Sequence, residues 1–334
     1  MMDKKILPGH GSGGKMMNEL IENTIRRIFG GSSVQIDDSA VLKLPHGRIA
    51  FTTDTFTVTP IFFPGGDIGR LAVNGTVNDL AVMGAAPAYI SCALVLEEGF
   101  DTGDLEKILL SMKSEADSAG VSIVTGDTKV VPHGKGDRIY INTSGIGVFE
   151  RDPERREIVP GDRILINGTI GDHGTAVMSE RNRLASSGAL KSDCAHLNHL
   201  IKKVMDAFPG AIKFMRDPTR GGVASVLNEI TKGRSFGARL YEENIPVRNE
   251  VKGVCGMLGI DPLYVANEGK VVIIVSRDAA ERMLDVMKRD DKGLESAIIG
   301  EIDEEFAGKA YLQTEIGGKR LLPLLIEEQL PRIC

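Results

Sequence analysis

Gly9-His10-Gly11-Ser12-Gly13-Gly14-Lys15 matches two sequence patterns at once, and they belong to different folds. Read as Gly9-x4-Gly14-Lys15 it is a P-loop, except that Met16 stands where a Ser or Thr would hold magnesium. Read as Gly9-x-Gly11-x-x-Gly14, with Asp37 downstream, it is the dinucleotide fingerprint of a doubly wound sheet. Each pattern requires a buried parallel strand immediately before the loop, and only residues 4–7 are available for one. Neither fold is therefore expected. The loop keeps its intrinsic chemistry: glycines let backbone N–H groups approach an anion, a helix N-terminus follows, and Lys15 adds a charge. A flexible surface turn is the plainer alternative.

Outward from the loop, apolar spacing predicts a helix over 16–29, closed by Gly30-Gly31. A strand follows over 49–58, a second helix over 68–83 and a strand-length apolar run over 89–96. A third helix runs through Leu105, Ile108, Leu109, Met112 and Ala116, with strands at 121–124 and 139–149. The charged, proline-bearing segment 150–157 reads as a domain linker. Beyond it, strands are expected at 163–166, 271–275 and 311–314, and helices at 175–184, 197–207, 219–231 and 279–287. The pattern implies two α/β (α+β) domains in tandem, at 1–150 and 151–326.

Composition narrows the function. The 334 residues carry a net charge of −6, which argues against non-specific nucleic-acid binding. The four cysteines (92, 194, 255 and 334) show no Cys-x-x-Cys, so a reducing cytoplasm fits better than a disulfide scaffold or zinc site. The first residues lack the apolar core of a signal peptide, and no run is long enough to span a membrane.

Five aspartates stand where a structural role is not the obvious one: Asp38, Asp54, Asp79, Asp127 and Asp217. Asp54 interrupts a good strand, where Asp is disfavoured. Asp217 precedes Pro218, so a helix N-cap is its plain alternative. Asp38 and Asp127 suit turns. Together such oxygen ligands suit Mg2+, which screens nucleotide phosphates. At the other end stands Pro331-Arg332-Ile333-Cys334. The proline blocks regular pairing, and a terminal thiol enters a pocket end-on as a nucleophile or attachment point. Residues 327–334 are expected to form a mobile tail.

The glycine loop, Asp37-Asp38-Ser39-Ala40, the 75–81 segment, Thr125 to Val131, Asp172-His173-Gly174, Asp217 to Gly222, Ala266 to Lys270 and the final Pro-Arg-Ile-Cys together resemble the HypE family of hydrogenase maturation proteins. That family lies in the aminoimidazole ribonucleotide synthetase and selenophosphate synthetase superfamily, and the resemblance spans nearly the whole chain. It implies an aminoimidazole ribonucleotide synthetase-like fold whose N-terminal domains pair in a homodimer. It implies an ATP-dependent carbamoyl dehydratase: HypF loads a carboxamide onto Cys334, ATP drives dehydration to a thiocyanate, and the cyanide passes to iron on a HypC–HypD complex. It also implies that Gly11, Gly13, Gly14, Lys15, Asn78, Gly126 and Arg220 bind ATP, and that the five aspartates hold Mg2+. Glu268 and Lys129 are the candidate groups for proton removal or charge stabilisation, with His10 and His173 next. The other three cysteines read as ordinary residues.

Three alternatives remain open at this stage. One is another ATP-using enzyme of the superfamily, such as a selenophosphate synthetase or small-molecule kinase, for which Cys334 would be dispensable. The second is a binding module with a docking tail. The third is a nicotinamide oxidoreductase built on the glycine loop.

Overall fold

The computed structural model describes residues 5–7, 10, 15–29, 47–151, 156–184, 190–324 and 332–334. Helix α1 (Lys15–Leu20) runs through a π-helical turn, Ile21–Arg26, into α2 (Arg27–Phe29). Ahead of the glycine loop, Ile6 bonds to the Gly99 and Phe100 backbone and Lys5 forms a lone antiparallel bridge to Asp101. Residues 5–7 thus join no parallel sheet, which removes the structural context that a P-loop or dinucleotide fingerprint requires.

The first sheet has the order β1-β6-β4-β5, built from β1 (Ile49–Phe56), β4 (Ala86–Glu97), β5 (Ser122–Val131) and β6 (Ile139–Val148). A short hairpin, β2 (Phe62–Phe63) and β3 (Gly66–Asp67), leads into α3 (Ile68–Val82). Asp67 caps α3 by accepting from the backbone N–H of Gly69 at 2.7 Å and Arg70 at 3.0 Å. Helix α4 (Thr102–Ala119) forms the crossover that makes β4 and β5 parallel. One face of the sheet buries Ile90, Leu94, Leu96, Ile139 and Ile141 with α3 and α4. No described residue packs over the opposite face, and Phe51 on it is 67% exposed.

The second sheet runs β13-β12-β9-β11-β7-β10-β8. Its strands are β7 (Arg163–Ile166), β8 (Ile212–Arg216), β9 (Gly237–Tyr241), β10 (Val272–Val275), β11 (Ala297–Asp303), β12 (Ala310–Gln313) and β13 (Lys319–Leu321). Helix α7 (Gly222–Thr231) covers one face; α6 (Asn198–Ala207) and α9 (Ala280–Met287) cover the other. Helices α5 (Asp172–Arg181) and α8 (Asn249–Leu258) pack together at the side. Strands β8, β9 and β11 and helix α8 add to the predicted elements. Charged residues or glycine break their apolar runs (Lys213, Arg239, Gly300 and Gly253), so periodicity alone does not separate them from loops.

Helix α3 joins the two sheets. It is buried nearly all round and therefore has no polar stripe. Its Arg70 donates to the Cys194 carbonyl at 3.2 Å. Asn78 donates to the Ala195 and Glu268 carbonyls at 3.0 and 3.3 Å and accepts from Leu197 N at 2.8 Å.

Candidate functional site

Where α3 meets the second sheet, a cavity of about 350 Å³ opens between the domains. Strand β1 contributes Thr53, Asp54, Thr55 and Phe56; α3 contributes Gly75 and Asp79. The end of β8 and the turn after it contribute Arg216, Asp217, Thr219 and Arg220, and α7, Glu268 and Cys334 complete the wall. Asp54 and Asp79 meet because Gly75 lets α3 lie against β1: a Cβ there would stand 2.9 Å from the Phe56 ring. Thr52 Oγ1 donates to Asp79 at 2.7 Å and orients it.

The carboxylates crowd one another. Burial and the neighbouring Asp79 raise the pKa of Asp54, and burial raises that of Asp79. Burial, with Asp79 and Asp54 adding, pushes Asp217 up to about 7. Burial, followed by the charges of Asp217, Asp193, Asp54 and Asp79, pushes Glu268 well above the ordinary carboxyl range. Glu268 Oε1 is buried and accepts no hydrogen bond from the described residues. Arg220 partly offsets the charge on Asp54 and Asp79, and Arg216 pairs with Glu229. Among the described residues no three acidic, His or Cys side chains can enclose a metal by themselves. The donor set nevertheless suits Mg2+ bound with phosphate oxygens: hard, like-charged carboxylates with one unpartnered oxygen beside them.

The chain's last residues lie in this site. Thr57 donates to the Cys334 carbonyl through N at 3.1 Å and Oγ1 at 3.2 Å. Thr59 N donates to the Arg332 carbonyl at 3.2 Å, and Arg332 Nε donates to Thr57 O at 2.9 Å. The tail thereby runs alongside the segment that follows β1. Helix α5 supplies two further donors: His173 Nε2 to Ile333 O at 2.9 Å and Arg181 Nη2 to Arg332 O at 2.6 Å. Arg332 pairs with Asp137. Ile333 is 3% exposed within the first core. Arg332 has a left-handed backbone, φ 55°, a strain of ~1–2 kcal/mol for a side-chain-bearing residue that these contacts must offset.

The residues singled out from sequence divide into three groups. Asp54, Asp79, Asp217, Arg220, Glu268 and Cys334 converge on the cavity. Asn78 does not line it, because both ends of its amide are spent between the domains. Asp127 and Lys129 form an ion pair at 3.2 Å on edge strand β5. The register Asp127–Ala93–Asn142–Thr55 puts Asp127 on the uncovered face, three strands from β1, whereas Asp54 faces α3. At about 4.8 Å per strand that is ~14 Å within one chain. Gly126 serves packing: a Cβ there would stand 2.1 Å from the Cys92 carbonyl oxygen.

Asp38, Gly11, Gly13 and Gly14 lie outside the described residues, as does the side chain of Lys15, the first residue of α1. The Asp217 N-cap alternative fails, since α7 begins at Gly222 with Gly221 before it. His10 is buried, and its Nδ1 accepts from Leu7 N at 3.0 Å. Burial raises the thiol pKa of Cys92 to about 12, of Cys255 to about 11, and that of Cys194 as well.

Two family models match the chain: the AIR synthase related protein N-terminal domain over residues 36–149 and its C-terminal domain over 159–313. Carbamoyl dehydratase HypE of Rhodobacter capsulatus is 44% identical over 339 residues, covering 100% of this chain and 99% of that protein. The chain belongs to the HypE family of AIR synthase-related proteins. A crystal structure of hydrogenase maturation protein HypE in complex with ATP matches at a TM-score of 0.93 and 45% identity, over 98% of this chain and 99% of that one. A HypE chain in a HypE–HypF complex matches at 0.80 and 48%, over 92% and 99%. The fold shared within the family is thus the two-domain AIR synthase fold expected above. Among the described residues no helix is long and apolar enough to cross a membrane.

Sequence reasoning missed the residues that seat the tail: Thr57, Asp137, Arg181 and, in that role, His173. Their partners are main-chain oxygens of residues 332–334 and the Arg332 guanidinium, which donates to Thr57 O and pairs with Asp137. Such pairings carry no local signature.

Proposed function

We propose that this chain uses ATP to dehydrate a carboxamide carried on the Cys334 thiol to a thiocyanate, supplying cyanide ligands for the iron of NiFe hydrogenases. The observation that carries this reading is that Cys334 and Glu268 line the same cavity as the cluster of Asp54, Asp79 and Asp217. The carboxamide oxygen attacks the γ-phosphorus, and the bond to the ADP oxygen breaks. Loss of one N–H proton leaves an O-phosphoryl imidate. Loss of the second proton forms C≡N as the C–O bond breaks, and phosphate leaves with the original carboxamide oxygen. The balance is thiocarboxamide and ATP to thiocyanate, ADP and phosphate.

Positioning and charge neutralisation dominate such a transfer. Asp54, Asp79 and Asp217 would hold Mg2+, together with Asp38; bound there, the ion would screen the phosphate charge. Arg220, Lys15 and the glycine loop with Gly11, Gly13 and Gly14 would face the phosphates. Glu268 would take the N–H protons. Its raised pKa, set first by burial, makes it a strong base once ionised, and neutralising the three aspartates would remove part of the repulsion that adds to it.

HypF would load the thiol and a HypC–HypD complex would accept the cyanide, in a cytoplasm reducing enough to keep Cys334 a thiol. A homodimer would cover the open face of the first sheet, where Phe51 is exposed beside half-buried Tyr89, Tyr140 and Ile146. Asp127 and Lys129 share that face, so pairing would turn them toward the second copy. Phe51→Glu should convert the dimer to monomer in sedimentation analysis; an unchanged dimer would refute that face.

The deciding experiment is mass spectrometry of the C-terminal peptide after incubation with HypF, carbamoyl phosphate and ATP. A gain of one carboxamide on Cys334, followed by loss of one water when ATP is hydrolysed, is expected. An unmodified Cys334 beside active HypF would overturn the reading.

A further inference from the structure

The turn that carries Glu268 is held by a buried ion pair that the chemistry above does not use. Asp193 accepts from the backbone N–H of Glu268 at 3.2 Å and of Gly269 at 3.3 Å, and from Lys270 Nζ at 2.9 Å. The side chains of Asp193 and Lys270 are only 5% and 10% exposed. Burial alone would raise the Asp193 pKa, but the Lys270 charge and these hydrogen bonds keep it below its ordinary value. A buried carboxylate this well satisfied is a rigid anchor.

The adjacent residue reaches the tail. His173 Nε2 faces the Ile333 carbonyl at 2.9 Å, which can only accept, so Nε2 carries the proton. His173 Nδ1 therefore accepts from the Ser192 hydroxyl at 2.8 Å. Ser192 Oγ in turn accepts from Cys194 N at 3.0 Å, and Ser192 N donates to Pro64 O at 2.8 Å. Both ring nitrogens and the hydroxyl are thus committed. Hydrogen bonds run from Ile333 through His173 to Ser192, the peptide bond joins Ser192 to Asp193, and Asp193 bonds to the 268–269 backbone.

We infer that Asp193 is a positioning residue that couples seating of the C-terminal tail to the placement of Glu268. The inference rests on the reading of Cys334 as the carrying thiol and Glu268 as the base. The Glu268 turn, which Asn78 and Asp193 also hold, is then placed more firmly while the tail is seated. A tail turned outward for loading leaves His173 without its acceptor and loosens the base. Coupling of this kind is reciprocal, so a change at either end must register at the other.

The full-length protein tests this with two readouts that need no turnover. One is the rate at which iodoacetamide alkylates Cys334, read on the C-terminal peptide. The other is hydrogen exchange of the 268 and 269 amides. Asp193→Asn should speed alkylation of Cys334 about five-fold, the scale of one lost buried hydrogen bond. Ile333→Ala, which alters neither the Asp193 nor the Glu268 side chain, should speed exchange at 268–269 by a similar factor. Ser192→Ala removes the link, together with the hydrogen bond from Cys194 N, and should do both; it also serves if Asp193→Asn fails to fold. Wild-type alkylation in Asp193→Asn or Ser192→Ala, or wild-type 268–269 exchange in Ile333→Ala, would overturn the coupling. Cross-effects in a protein that never dehydrates its loaded tail would leave the coupling standing and remove the proposed function instead.

Discussion

Asp217→Asn should stabilise the protein without ligands while impairing its use of ATP. The folded pKa of Asp217, pushed up to about 7 by burial and by Asp79 and Asp54, lies above the unfolded value near 3.8. The folded state thus holds this proton more tightly than the unfolded state does. Its contribution to stability is fully present below about pH 4 and is lost as pH rises through about 7. A shift of that size corresponds to ~4 kcal/mol once the group is ionised. Asp217 keeps some contact with solvent, so ~2–4 kcal/mol is the expected range. Asparagine keeps the shape and never ionises. Urea unfolding in EDTA should therefore show Asp217→Asn little changed near pH 4 and more stable than wild type by ~2–4 kcal/mol at pH 8. Added MgATP should stabilise wild type more than the variant, because in wild type it also relieves the repulsion. A variant that is no more stable at pH 8, or equally stabilised at pH 4 and pH 8, would refute the like-charge account of the site.

Glu268→Gln should leave nucleotide affinity within a few-fold of wild type and slow dehydration of the loaded tail by ~10²–10⁴, the usual scale of a lost general base; single-turnover mass spectrometry measures it. A change under ten-fold would assign proton removal elsewhere. Ile333→Ala removes three buried carbons, ~2 kcal/mol of seating at ~0.8 kcal/mol each. Dehydration should fall by one to two powers of ten with the melting temperature nearly unchanged, and loading by HypF should persist; a matching loss of loading would show that Ile333 serves HypF instead.

The glycine loop shows both what a sequence can exclude and where it stops. The short segment ahead of it argued against a P-loop or dinucleotide fold, and Ile6 pairs with a loop rather than a sheet. The long helices α3 and α4 were legible because each combines a run of core positions with end signals, Asp67 and Asp101 before them and Gly84 and Gly120 after. Strands β8, β9 and β11, whose apolar runs are broken at Lys213, Arg239 and Gly300, were not. Asp54 stood out because a carboxylate is disfavoured in a strand. Asn78 sat in an equally conspicuous segment, yet its amide ties the domains together. Local oddity marks a residue under constraint without saying whether a ligand or the protein imposes it.

The residues alone determined the two-domain α/β architecture, the family, the candidate acids and the terminal thiol, since these rest on periodicity, composition and local motifs. Tertiary structure decided which acids meet. Strand alternation turns Asp54 toward α3 and Asp127 to the opposite face, a matter of sheet register that neither segment carries by itself. Tertiary structure also brought Cys334 to Glu268, through carbonyls of the tail seated on side chains and backbone more than a hundred residues away. Contacts between a backbone group and a distant donor depend on the path of the chain, and only the folded molecule records that path.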